Sequence, residues 1–186
     1  AISACGKDGQ WERALELLED MRVRGLEPNE YAYSAAISAC QKGGQWKRAL
    51  ELVADMKRLG HEPNMIAYSA AIAACEQSGE LAHANDVMRN TAVYSNIWKG
   101  TSTIDLHGLN VPVARTAVRC ALADVPLRRN ESFIIITGRG KHSDEAVIRP
   151  ALLEMFDYER LACKQDPLNP GRLRIAAAAL EKYKAR

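Results

Sequence analysis

Laid against itself, the chain repeats with a period of 35 residues, and no other feature restricts its fold as much. "AISACGKDGQWERALELLEDMRVRGLEPNEYAYSA" from Ala1 is followed by "AISACQKGGQWKRALELVADMKRLGHEPNMIAYSA" from Ala36, and "AIAACEQSGELAHANDVM" opens a third copy at Ala71. Trp11 answers to Trp46, Pro28 to Pro63, and Cys5 to Cys40 and Cys75. Within a copy, Ala, Ile and Cys mark one helix, a Gly-containing turn follows, and "WxxALEL" opens a second helix that runs to Met21 or Met56. Gly25 or Gly60 ends it, and Pro28 or Pro63 prevents it from resuming. One such hairpin cannot cover its own apolar face, so the copies are expected to stack into a solenoid whose concave surface is lined by equivalent positions.

The repeated cysteines could suggest a metal or a redox pair. The five cysteines show no CxxC spacing, however, and small polarizable side chains at one repeat position are expected to pack between helices. The cysteine usage suits a reducing compartment. Trp11 and Trp46 could stack on bases, but their place at the start of the second helix favours the hairpin core. His61 and His83 carry no signal of their own.

Length, turn and proline together make the run "AYSAAISACQKGGQWKRALELVADM" resemble the pentatricopeptide repeat family over roughly the first hundred residues. Tetratricopeptide repeats, with a period of about 34 residues and a different aromatic pattern, fit less well. The resemblance implies single-stranded RNA as partner, about one base per repeat, read by two or three side chains. Carried onto this chain, the two specifying positions are Ser34 and Asn64, with a preference for adenine. A hydroxyl and an amide can each donate and accept, so together they can match a base edge. Tyr31 and Ile66 fall where the family sandwiches the base. Asn29 belongs to a repeat whose first-helix partner precedes Ala1. Ser69 would pair with Lys99, a departure from the usual polar choices that makes the third copy a degenerate end cap. The competing reading is that Ser34, Asn64 and Ser69 cap helices or line a solvated groove.

After Lys99 the period is lost. "GTSTIDLHGLNVPVARTAVRCALADV" reads as strand, turn and helix, and "ESFIIITGRG" as a buried strand. "DEAVIRPALLEMF" resumes helical spacing, with Pro150 expected to shorten or kink the helix. "ERLAC" and "GRLRI" read as short strands and "AAAALEKYKAR" as a closing helix. The fold class is thus an α-helical hairpin solenoid followed by a small α/β domain, with repeats over 1–99, the first truncated and the third degenerate, and the second domain over 100–186.

"TGRGKHS" is not a P-loop, since Ile135 stands where the first Gly is required and His142 where Ser or Thr is required. It is not a dinucleotide fingerprint either, because Ser143 replaces the third glycine. "DLHG" at Asp105 to Gly108 together with "TGRGKHS" at Thr137 to Ser143 resembles the Smr domain, a small MutS-related module. "NPGRLRI" and the final helix are similar to the version fused behind pentatricopeptide repeats in organellar proteins. Both motifs are expected at the C-terminal ends of strands, where a parallel sheet presents its loops to ligand. Asp105 and His107 would share a side if the strand continued through them. Gly138 and Gly140 let backbone amides approach an anion, Arg139 and Lys141 supply charge, and His142 is a donor to phosphate or a solvated loop residue. The expected anion is an RNA phosphate.

Smr domains include nucleases. On that reading Asp105 or His107 activates the attacking oxygen, and Arg139 and Lys141 stabilise charge developing on the phosphate. Alternatively Asp105 caps its turn, His107 bonds a neighbouring loop, and the surface binds without chemistry. No cofactor is certain; a divalent metal on Asp105 is the candidate, on a thin ligand set. DNA is the other polyanion to weigh, and a protein-interaction scaffold is the rival use of the groove.

Bulk charge fits this division. The net charge is +2, but residues 1–100 carry 11 Lys and Arg against 13 Asp and Glu, and residues 101–186 carry 14 against 10. No apolar run approaches the roughly 18 residues a membrane helix needs. Ala1 falls inside a helix without initiator Met or targeting segment, so the sequence is expected to be a piece of a longer protein. The family resemblance implies transcript processing in an organelle, chloroplast or mitochondrion.

Overall fold

The computed structural model describes residues 2–126, 131–138 and 147–185. They form two compact units, Ala1–Val87 and Met88–Arg186.

The first unit is built from paired helices: α1 (Ile2–Asp8) with α2 (Trp11–Val23), α3 (Glu30–Lys42) with α4 (Trp46–Arg58), and α5 (Met65–Gln77) with α6 (Leu81–Arg89). The turn chemistry repeats with the sequence. Gly9, Gly44 and Gly79 adopt φ of +69°, +69° and +76°, the left-handed conformation that closes a helix. Behind each, the next residue's N–H returns to the cysteine carbonyl: Gln10 to Cys5 at 3.1 Å, Gln45 to Cys40 at 2.8 Å and Glu80 to Cys75 at 2.9 Å. Gly25 and Gly60 do the same for α2 and α4, where Leu26 N–H reaches Met21 O and His61 N–H reaches Met56 O, both at 2.9 Å. Each helix end therefore satisfies carbonyls that would otherwise be orphaned.

α3 packs between α1 and α5 and against its own partner α4. Small residues line the contact, with Ala36, Ala39, Ala67, Ala71 and Ala74 fully buried around Tyr33 and Ile37. Cys5, Cys40 and Cys75 are buried and unpaired, and burial pushes the thiols of Cys40 and Cys75 up to about 11, so both stay protonated and act as packing groups. Trp11 and Trp46 are half-buried against the same core, Trp11 closely packed on Gly43 and Trp46 at 4.9 Å from the His83 ring. α6 has nine residues where α2 and α4 have thirteen; it ends at Arg89, just before Thr91 caps the next helix.

The second unit takes in the end of α6 and α7 (Ala92–Ile97), capped by the Thr91 hydroxyl. Arg89 and the Tyr94 hydroxyl, at 2.6 Å, both reach the Asp124 carboxylate, and Trp98 lies 6.3 Å from Phe133. Then come β1 (Thr103–Asp105), α8 (Val111–Asp124), β2 (Phe133–Ile136), α9 (Ile148–Tyr158), β3 (Lys164–Gln165), β4 (Arg172–Ile175) and α10 (Ala177–Lys184). Strand order is β1-β2-β4-β3. β1 and β2 are parallel, joined through α8; β4 runs antiparallel to both β2 and β3.

Several local expectations change. The sheet is mixed rather than parallel throughout. "ERLAC" holds a turn, with Arg160 at φ +53°, and the strand begins just after it at Lys164. Pro150 lies in the first turn of α9, where a missing N–H costs nothing, so it does not kink the helix.

Candidate nucleic-acid interface

In the repeat unit, Asn29 and Asn64 occupy the same place one period apart. Each caps the helix that follows: Asn29 Oδ1 accepts from Ala32 N–H and Asn64 Oδ1 from Ala67 N–H, both at 3.0 Å. Asn64 does more, because the Ser34 hydroxyl meets its Oδ1 at 3.1 Å across neighbouring hairpins. The same hydroxyl lies 2.7 Å from Glu30 O, and Ser34 is only 4% exposed. The pair identified in the sequence is therefore in direct contact.

Its chemistry is narrower than the residue types allow. Ala67 N–H fixes which way the Asn64 amide points, and the amide oxygen and the serine proton are both used inside the protein. Unused by these bonds are the Nδ2 donor of the half-exposed Asn64 and a lone pair of the buried Ser34 Oγ. Tyr31 and Ile66, also one period apart, are 71% and 59% exposed, large apolar groups held at the surface. Ser69 is half-buried on α5. Lys99 belongs to the second unit, where its N–H pairs with Thr103 O and its ammonium with Asn96 O.

In the second unit, β1 and β2 end side by side. Leu106 N–H still bonds Ile136 O at 2.9 Å, so the "DLHG" turn begins where the parallel ladder stops. β1 ends at Asp105, and His107 lies in the turn rather than on the strand. Asp105 Oδ1 accepts from His107 N–H at 3.0 Å, which closes the turn and fixes the carboxylate at its entrance. The His107 ring is exposed and rests on Gly138, where an added Cβ would come within 2.8 Å of Nδ1. Gly138 itself has φ +80°, so bare backbone is required there twice over. Arg139, Gly140, Lys141 and His142 lie outside the described residues.

Asp105 is a single carboxylate with one oxygen engaged, and among the described residues no group of three or more His, Cys, Asp or Glu could hold a metal. Sequence reading passed over one more feature: the alternation in "RLRI" turns Arg172 and Arg174 outward while Leu173 and Ile175 are buried, a period-2 signal readable from those four letters.

Hairpins repeating every 35 residues, followed by a mixed-sheet domain with a glycine-lined corner, define a helical repeat array joined to a small α/β domain. Comparison with known families agrees: the PPR repeat family matches residues 1–42, a PPR repeat residues 31–61, and the Smr domain residues 104–166. The chain is also 32% identical over 85 residues to an Smr domain-containing protein of Schizosaccharomyces pombe. That match takes in 45% of this chain and 41% of the yeast protein, so less than half of that relative is spanned. The chain carries pentatricopeptide repeats followed by an Smr domain. No helix among the described residues is long and apolar enough to cross a membrane.

Proposed function

We propose that the chain binds single-stranded RNA, with Ser34 and Asn64 reading one base and the Smr domain taking a phosphate at the corner of Asp105, His107 and Gly138. The observation that carries the reading is the 3.1 Å contact between Ser34 and Asn64 across adjacent hairpins. One donor and one acceptor remain unused by the protein, and adenine offers the complement along its Hoogsteen edge, an acceptor N7 beside a donor N6, where guanine presents two acceptors. Tyr31 and Ile66 supply apolar surface for the faces of the base. The likeness to organellar repeat–Smr fusions supports transcript processing in a chloroplast or mitochondrion.

The test is fluorescence anisotropy with an unstructured oligouridylate carrying a single adenine or a single guanine. The adenine strand is expected to bind more tightly by about 1–3 kcal/mol. Asn64→Ala removes that preference and also a helix cap worth about 1 kcal/mol of stability, whereas Asn29→Ala removes only a cap. Equal preference in wild type and Asn64→Ala rejects the assignment.

The exposed His107, whose backbone N–H holds the Asp105 carboxylate, supports a second reading, strand cleavage with one of the two as general base. Incubating labelled RNA with wild type, Asp105→Ala and His107→Ala decides it; equal product from all three eliminates the site.

A further inference from the structure

Among the described residues, the sheet of the second unit is covered on one face only. Ile104, Phe133, Ile135, Leu173 and Ile175 are at most 1% exposed and pack beneath the helices. The opposite face carries two rows set by strand register: Thr103, Ile134, Arg174 and Lys164 in one, and Asp105, Ile136 and Arg172 in the other. Ile134 and Ile136 are half-exposed, and Arg172, Arg174 and Lys164 are exposed. A central apolar strip is thus bordered by three cations.

The "NPGRLRI" segment makes the cationic border rigid. Asp166 Oδ1 accepts from Leu168 and Asn169 N–H, Asn169 Oδ1 accepts from Gly171 N–H, and Asp166 and Arg172 close the hairpin through backbone bonds. Gly171 O receives Thr137 N–H at 2.9 Å, which ties this hairpin to the end of β2 beside Gly138. With β4 held so, Arg172 and Arg174 point the same way about 7 Å apart. Among the described residues their opposing charges are few. Asp166 lies 3.5 Å from Arg174 and is itself largely buried, and Asp105 stands at the far end of the row.

We propose that this open face is a track for the phosphates of one RNA strand, gripped by Arg172, Arg174 and Lys164 and leading across Ile136 to Asp105 and His107. Charge complementarity selects the occupant, because three outward cations beside a half-exposed apolar strip suit a polyanion whose bases need apolar cover. Arg172 and Asp105 share a row, two strand spacings or about 10 Å apart, so a strand held at β4 passes the candidate corner. The track rests on the RNA-binding reading above and extends it to the substrate path.

The test titrates the full chain with oligoadenylate across a salt series. Each phosphate neutralised on a single strand contributes about 0.7 to the slope of log K against log salt, so Arg172→Gln with Arg174→Gln is expected to lower its magnitude by about 1.4. Arg172→Lys with Arg174→Lys keeps the charges and is expected to restore it. Circular dichroism of both double variants is expected to match wild type, since the arginines replaced are exposed. A glutamine variant with unchanged slope overturns the track while leaving RNA binding intact; wild type with no affinity for the strand overturns both. Polyglutamate competing as well as RNA at equal charge overturns it in favour of an acidic protein partner.

Discussion

The repeat unit and the sheet unit solve the same problem, covering apolar surface with short elements, in opposite ways. In the first, each device recurs: the left-handed glycines, the cysteine carbonyl that receives the closing bond, and the asparagine cap all return after one period. In the second, each device occurs once, and strands far apart in sequence must find one another before any is buried: β1 pairs with β2, and β2 with β4, which lies beyond α9 and β3. The array is therefore graded, each hairpin leaning on its neighbours, whereas the sheet has one core that forms together. Function follows the same division. The array can use neighbouring copies to present a pair such as Ser34 and Asn64, while the sheet builds a single corner.

The largest expected effects probe the cores. Tyr33 and Phe133 are at most 1% exposed, and replacing either with Ala is expected to cost about 3–5 kcal/mol. What distinguishes them is the pattern of loss. Tyr33→Ala also removes the acceptor of Arg22, 2.6 Å from the tyrosine hydroxyl, and amide exchange is expected to rise most in α2 and α3 and less in α5 and α6. Phe133→Ala is expected to raise exchange evenly over β1, β2 and β4. Even loss along α1 to α6 in Tyr33→Ala breaks the contrast.

Smaller effects separate backbone from contact. Gly25 and Gly138 share a left-handed backbone, at φ +71° and +80°, but an added Cβ meets nothing within 4 Å at Gly25 and the His107 ring at Gly138. Gly25→Ala is expected to cost about 1–2 kcal/mol, the price of the conformation. Gly138→Ala costs that and displaces the imidazole, so its urea midpoint is expected to fall further and the His107 ring resonances to shift. Equal midpoints with unmoved resonances show that the ring does not rest on Gly138 and remove the contrast.

This contrast also explains what could be read from sequence. The hairpins were legible because their signals are local: a glycine, a proline and an asparagine at fixed offsets specify the turns that Gly25, Pro28 and Asn29 form. The strand of "FIII" and the outward arginines of "RLRI" are local too. Strand order was not, since the pairing of Ile135 with both Ile104 and Leu173 joins segments separated by whole helices. At the candidate site the sequence named Ser34 with Asn64 and Asp105 with His107, but not how much of their bonding capacity the protein itself consumes. The serine proton goes to Glu30 and Asn64, and an Asp105 oxygen to its own turn, because buried polar groups must be satisfied before any ligand arrives.

The smallest effects come from one carboxylate in each unit. The Arg58 guanidinium holds Asp55 below the usual carboxylate range against the opposing effect of burial, with Arg22 of the preceding hairpin helping. Burial pushes the Asp124 carboxyl up, but hydrogen bonds from Tyr94 and Arg89 outweigh it and its pKa ends lowered. A depressed folded-state value means stability that is present above the unfolded pKa of about 3.9 and lost as the pH falls through the folded value. Asp55→Asn and Asp124→Asn are thus each expected to lose about 0.2–1 kcal/mol at pH 7, a deficit that narrows as the pH falls below about 3.9, measured by urea unfolding across that range. Asp124 is expected at the upper end, because it accepts from both Tyr94 and Arg89. A deficit that persists unchanged in acid would mean that these oxygens act by shape rather than by charge, and that the two units do not differ here at all.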